Sequence, residues 1–229
     1  MEAGGAFRPT MRPRRDGQIT GPAADPDRAS QQAAKRATSK TRKYCAANRL
    51  NRLGTLTYRG LGCHDPLQLR REVAAFFRAL RVLLGGEPFA YLWTAEWHSS
   101  GHGLHVHFAV GRFIPRQLIE QAWPHGFVHI KLLGGLPVGS GAVAEARVAA
   151  GYLSKYVGKD FNASKMAGLH RYEVAQGYQP QFRPVWGRTR EEATEAASQI
   201  MHGQPEVIWL SYMTPDWQGP PAAWMQWRG

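Results

Sequence analysis

The chain has 229 residues, enough for one well-buried core and a small appendage, and 29 Lys and Arg against 17 Asp and Glu give a net charge of +12. That balance points to a polyanionic partner, and residues 1–52 alone carry 12 Lys and Arg against 4 Asp and Glu, two thirds of the excess. No apolar run approaches the roughly 18 residues of a membrane span, and no apolar stretch near the N-terminus reads as a secretory signal. Cys45 and Cys63 stand alone, which argues against a disulfide framework and fits a reducing cytoplasm.

Residues 1–27 mix Gly, Pro, Arg and Asp without apolar periodicity and are expected to be a disordered basic tail. Residues 28–52 form a basic segment whose Ala, Lys, Arg and Gln suit a helix, and Arg42, Lys43 and Arg52 in it are candidate DNA contacts. Leu53 to Tyr58 reads as a strand. Asp65 and Pro66 supply a helix start, and Leu69, Val73, Phe76, Phe77 and Leu80 give the following helix a broad apolar stripe.

Phe89 to Trp97 and Leu104 to Val110 read as two strands joined by Ser99-Ser100-Gly101-His102-Gly103, a hairpin connection. A short helix from Pro115 to about Trp123 and a strand from Phe127 to Leu133 follow. A glycine-rich loop then leads into an Ala-rich helix over residues 142–159. Hairpin-linked strands with helices between others predict an α+β fold, a central antiparallel sheet with flanking helices. After Asp160 the reading is irregular: a helix from about Thr189 to His202, a strand from Val207 to Tyr212, and a tail rich in Pro and Trp.

His105 and His107 share one face of their strand, because side chains alternate. A hairpin turning about Ser100-Gly101 pairs positions that sum to 201, which sets Glu96 opposite His105 and Thr94 opposite His107. Two imidazoles and a carboxylate with open positions would accept Mg²⁺ or Mn²⁺. Hydrogen-bonded structural histidines fit the same residues. His98 and His102 lie in or beside the turn, as solvated groups or substrate contacts.

Tyr152 and Tyr156 stand one helical turn apart, with Lys155 and Lys159 beside them. A phenol with an ordinary pKa of about 10 is a poor nucleophile unless a nearby cation or metal favours its charged form. By spacing alone the pair suits core or surface aromatics equally well. Trp186, Trp209, Trp217, Trp224 and Trp227 could stack bases or fill a packing appendage.

Three segments occur in a telling order: Thr55-Leu56-Thr57-Tyr58, then Glu96 with Gly101-His102-Gly103-Leu104-His105-Val106-His107, then Tyr152-Leu153-Ser154-Lys155-Tyr156-Val157-Gly158-Lys159. Together they resemble the motifs of the His-hydrophobe-His (HUH) endonucleases of rolling-circle replication, in the two-tyrosine form found in plasmids and phages. The tyrosines follow the histidine pair here, whereas conjugative relaxases place the tyrosine first.

The resemblance implies an HUH, RRM-like core over 53–160, a divalent metal held by His105, His107 and Glu96, and Tyr152 and Tyr156 as nucleophiles assisted by Lys155 and Lys159. It implies nicking and rejoining of single-stranded or hairpin origin DNA through a 5′-phosphotyrosine. His102 would contact DNA at a turn position where related sequences often carry Arg. No Gly-x-x-x-x-Gly-Lys phosphate loop is present, so a host helicase and polymerase are expected partners. Residues 161–229 are left as an appendage without an assigned role. A two-tyrosine transposase and an inactive DNA-binding regulator are the alternatives.

Overall fold

The computed structural model describes residues 2–6, 25–131, 141–158, 166, 170–215 and 222–227. In chain order the elements are β1 (Glu2–Ala6), α1 (Pro26–Ala47), β2 (Arg52–Tyr58), α2 (Pro66–Leu83), β3 (Tyr91–Trp97), β4 (Leu104–Val110), α3 (Arg116–Ala122), β5 (Gly126–Lys131), α4 (Gly141–Gly158), β6 (Glu173–Val174), α5 (Arg190–Ile200), β7 (Val207–Leu210), a 3₁₀ turn (Ser211–Met213) and β8 (Ala222–Gln226). The chain divides into two units, 21–180 and 1–20 with 181–229.

In the larger unit, helix starts are set locally. Asp25 accepts the Arg28 N–H at 2.9 Å and Asp65 the Leu67 N–H at 2.8 Å, each with proline at the first helical position. The five strands lie in the order β5-β2-β4-β3-β6, every pair antiparallel. The run from β2 to β5 is thus a β-α-β-β-α-β chain whose third strand, β4, lies at the sheet centre. This is the α+β architecture expected from the sequence.

Alternation splits the sheet into two unlike faces. Leu56, Tyr58, Trp93, Ala95, Val106, Phe108 and Val110 pack on Leu69, Val73, Phe76, Phe77 and Leu80 of α2 and on Ile119 of α3. On the other face Leu53, Leu92 and Ala109 meet Tyr44 and Cys45 of α1 and Ala149, Ala150 and Leu153 of α4. That second face is apolar at one end of the strands only. At the other end it carries Thr55, Thr94, Glu96, His105 and His107, by the same alternation.

The chain departs from the sequence reading in several places. β6 pairs with β3 in a stretch that looked irregular, and the Tyr44 hydroxyl donates to the Ala175 carbonyl at 3.2 Å, so the unit continues past residue 160 to 180. Two residues carry no period, so their strand is invisible to pattern reading. Residues 2–6, inside the segment read as a disordered tail, form a strand against β8. Backbone groups at a sheet edge accept a partner strand with little regard to its side chains; residues 7–24 lie outside the described residues.

In the smaller unit β1, β8 and β7 form a three-stranded antiparallel sheet, with Ala197 of α5, Met225 and Trp227 as its buried cluster. The Trp227 indole N–H donates to the Gly203 carbonyl at 2.8 Å. Trp209 and Trp224 are half-buried there and Trp186 is exposed, while Trp217 lies outside the described residues.

Gly54 is where the sheet tolerates no side chain. A Cβ there would run into the Phe108 ring, which is itself held edge-on by Phe76 and Phe77. Gly54→Ala is expected to destabilise the fold by about 1–3 kcal/mol through overpacking, measured as a lowered midpoint in denaturant with an unchanged slope.

Candidate metal and tyrosine site

The register of the β3–β4 hairpin is the one expected from its turn: Glu96 pairs with His105 and Thr94 with His107. The turn closes through His98 N–H to the Gly103 carbonyl at 2.8 Å and Gly101 N–H to the His98 carbonyl at 3.0 Å, with Gly101 and Gly103 at positive φ. A Cβ on Gly103 would meet the Cys63 backbone, and the Leu104 N–H donates to the Cys63 carbonyl at 2.7 Å. The hairpin is therefore seated on the loop after β2 as well as on its neighbours.

Three side-chain atoms converge from this frame. His105 Nε2 lies 3.0 Å from His107 Nε2, and Glu96 Oε2 lies 3.3 Å from the first and 3.1 Å from the second. Three ligands at right angles, bonded at about 2.1 Å, stand roughly 3.0 Å apart, so the cluster fits one ion. The donor set of two nitrogens and one carboxylate oxygen fits too, leaving the other side of the ion for substrate and water. Among the described residues these three form the cluster that could hold a metal.

His107 is oriented from β2. Its Nδ1 lies 3.0 Å from the Thr55 hydroxyl, which pairs with His107 across the ladder. With Nδ1–H donating to that oxygen, Nε2 keeps its lone pair for a ligand bond. Both imidazoles are nearly buried, with side-chain exposures of 11% and 7%, while Glu96 keeps 19%. The opening is therefore on the Glu96 side.

α4 brings both tyrosines to this cluster. The Tyr156 ring stacks on His107 at 3.8 Å with 19° between planes, and its hydroxyl donates to the Tyr152 hydroxyl at 2.7 Å. Burial, that hydrogen bond and the negative charges of Tyr152 and Glu96 hold the Tyr156 phenol above its ordinary pKa. It stays protonated at neutral pH and acts as a donor to Tyr152. The Lys131 ammonium of β5 lies 4.6 Å from the Tyr152 ring centre.

The other residues singled out from sequence are distributed differently. Lys155 is exposed on α4, and Lys159 lies outside the described residues. The His102 Nε2–H donates to the Tyr58 carbonyl at 3.1 Å, so that nitrogen holds the turn. Arg42 and Lys43 are exposed on α1. Arg52 pairs with Val110, three residues along β2 from Thr55 and on the opposite sheet face from His107, with its guanidinium 5.4 Å from the Phe113 ring.

Four residues near the site were not singled out from sequence for these roles. Thr55 orients His107, and Lys131 lies beside Tyr152. His98 stands 5.3 Å from the His105 ring, and the Ser100 N–H donates to its Nδ1 at 3.2 Å, which fixes the neutral tautomer with hydrogen on Nε2. Arg171 joins three elements: its guanidinium donates to the Val157 carbonyl of α4 at 3.4 Å and to the Ser30 hydroxyl of α1 at 3.0 Å, and its carbonyl accepts from Thr94 at 2.8 Å. Of these, Thr55 had a signal in strand order. Lys131 and Arg171 depend on contacts between distant segments that no local pattern encodes.

Residues 51–161 match a family of replication-associated proteins, the ORF2 type. The matched span is just under half of the chain and contains Thr55, Glu96, His105, His107, Tyr152 and Tyr156. It supports kinship with replication initiators, and with it a role in DNA replication and DNA as a partner. No curated protein and no solved structure matches the chain. No helix among the described residues is long and apolar enough to cross a membrane.

Because Thr55 acts through His107, Thr55→Val should leave the fold intact and lower divalent-ion affinity about 10–100-fold. Calorimetric titration of the ion into both proteins checks this. Equal affinities would remove Thr55 from the site.

Proposed function

We propose that this protein nicks and rejoins single-stranded or hairpin origin DNA through a 5′-phosphotyrosine, initiating and terminating rolling-circle replication of a plasmid or phage. The observation that carries the reading is the junction of two phenols and three convergent ligand atoms: Tyr156 stacks on His107 and donates its proton to Tyr152. A pair of packing aromatics has no need of a neighbouring metal-binding triad.

An ion held by Glu96, His105 and His107, Mg²⁺ or Mn²⁺, would supply positive charge to the scissile phosphate, and Mn²⁺ suits the nitrogen ligands better. Tyr152 is the first nucleophile in this reading. Its oxygen accepts from Tyr156, an arrangement that stabilises negative charge developing on it. The Tyr152 oxygen forms a bond to phosphorus, the P–O3′ bond breaks, and the departing oxygen takes up a proton as a 3′-hydroxyl. The phenol proton leaves to solvent. Lys131 contributes positive charge near Tyr152, and Lys155 and Lys159 contribute it to the flanking strand.

The phosphotyrosine keeps the energy of the broken bond, so attack by a 3′-hydroxyl restores the strand without ATP. Tyr156 then cleaves the regenerated origin while the first link is resolved. The chain carries no phosphate-loop motif for a helicase, which leaves unwinding and synthesis to host proteins. A two-tyrosine transposase would run identical chemistry on element ends, and the DNA that forms the adduct separates the two.

Incubation with an origin hairpin oligonucleotide and Mn²⁺ is expected to give a denaturation-resistant protein–DNA adduct, lost on chelation and restored by fresh Mn²⁺. Tyr152→Phe should abolish the first adduct. Tyr156→Phe should slow it roughly 10–100-fold, the worth of a hydrogen bond to a charged group at about 1.5–3 kcal/mol. Adduct persisting in the double variant would rule the mechanism out.

A further inference from the structure

α1 is 22 residues long, and its buried side, Ala37, Thr41, Tyr44 and Cys45, is committed to the protein interior. The exposed side carries Arg28, Lys35, Arg36, Lys40, Arg42 and Lys43, with Asp27 in the first turn as the helix's acidic residue. At 3.6 residues per turn these cations fall on two ridges. Arg28, Lys35 and Arg42 are seven apart, which sets them along one ridge at intervals of about 10.5 Å. Arg36, Lys40 and Lys43 make a second ridge roughly 100° around the helix. Exposed Gln32 and Ser39 lie between the two.

We propose that this face seats B-form duplex DNA, α1 lying along the major groove with one ridge of cations towards each bordering phosphate chain. The groove is about 12 Å wide and admits a helix. The polar residues between the ridges, Gln32 and Ser39, would face the base edges. The proposal deepens the replication reading by naming the duplex beside the nicked strand as a second ligand of the same unit, but its measurement needs no cleavage.

Other polyanions fit less well. A membrane-surface helix needs an apolar face to bury in lipid, and that side of α1 is already packed against α4 and the sheet. Single-stranded nucleic acid is held largely by aromatic stacking, whereas the aromatic residue of α1 is the buried Tyr44. Duplex RNA presents a major groove too deep and narrow for a helix. Charge in two rows without an aromatic platform suits a double-stranded phosphate backbone.

The test measures binding of the full chain to a fluorescent DNA duplex by polarisation in chelator, across 50–200 mM salt. Each phosphate contact contributes about 0.9 to the slope of log affinity against log salt. Lys35→Gln, Arg36→Gln and Lys40→Gln together should therefore lower the slope by about 2.7, so that the variant loses roughly 40-fold less affinity than the parent over that range. The charge-keeping set Lys35→Arg, Arg36→Lys and Lys40→Arg should retain the parental slope, and both variants should melt at the parental temperature.

The parent should also prefer the DNA duplex to a single strand and to duplex RNA, and the Gln variant should lose that preference. An unchanged slope in a folded Gln variant would overturn the proposal. So would equal loss on single strand and duplex, or a loss confined to anionic vesicles. An intact duplex preference in a protein that forms no adduct would support this seat while removing the nicking reading.

Discussion

Everything at the candidate site depends on the pairing of β3 with β4. His105 and His107 reach one point with Glu96 because the hairpin sets Glu96 opposite His105, and their three atoms stand 3.0 to 3.3 Å apart as a result. A slip of one residue would turn Glu96 to the opposite face from the histidines and break the cluster. Two features oppose such a slip. The turn glycines take φ values that other residues resist, and the Cys63 backbone leaves no room for a side chain on Gly103.

The second sheet face shows how one surface serves both folding and chemistry. Leu53, Leu92 and Ala109 bury against α1 and α4, and a few residues further along their strands the same face turns polar. α4 spans that change. Ala149, Ala150 and Leu153 anchor it to the apolar end, and Tyr152 and Tyr156 reach His107 at the polar end. Apolar burial of its anchors, at about 25 cal/mol per Å², holds the phenols in place without using either hydroxyl as an attachment. Arg171 secures the far end of the helix through the Val157 carbonyl, one of those left without a partner at a helix C-terminus.

Much of this was legible in the sequence. Glu96 could be assigned from the turn because an antiparallel hairpin fixes every pair once its centre is known, and the His-x-His spacing fixed the shared face. The tyrosines were legible as a pair, but their approach to His107 depends on how α4 packs, which spacing does not give. Lys131 and Arg171 belong to other segments again and meet the site through tertiary contacts. β6 and β8 were missed for different reasons. The first has two residues and no pattern, and the second, Ala222–Gln226, lies in a stretch of mixed composition whose strand state comes from its partners β1 and β7.

All seven residues of β4 are buried, the two histidines included, and the strand has a partner on either side. Proteins open piecemeal, with ends and surface elements fraying at a small fraction of the global free energy and central strands releasing last. The ligand histidines thus belong to the part of the molecule that opens last, whereas the tyrosines ride on a helix applied to the sheet from one side. Local fluctuation can rearrange the nucleophiles while the ligand geometry persists. The same protein combines a fixed anvil with a movable hammer.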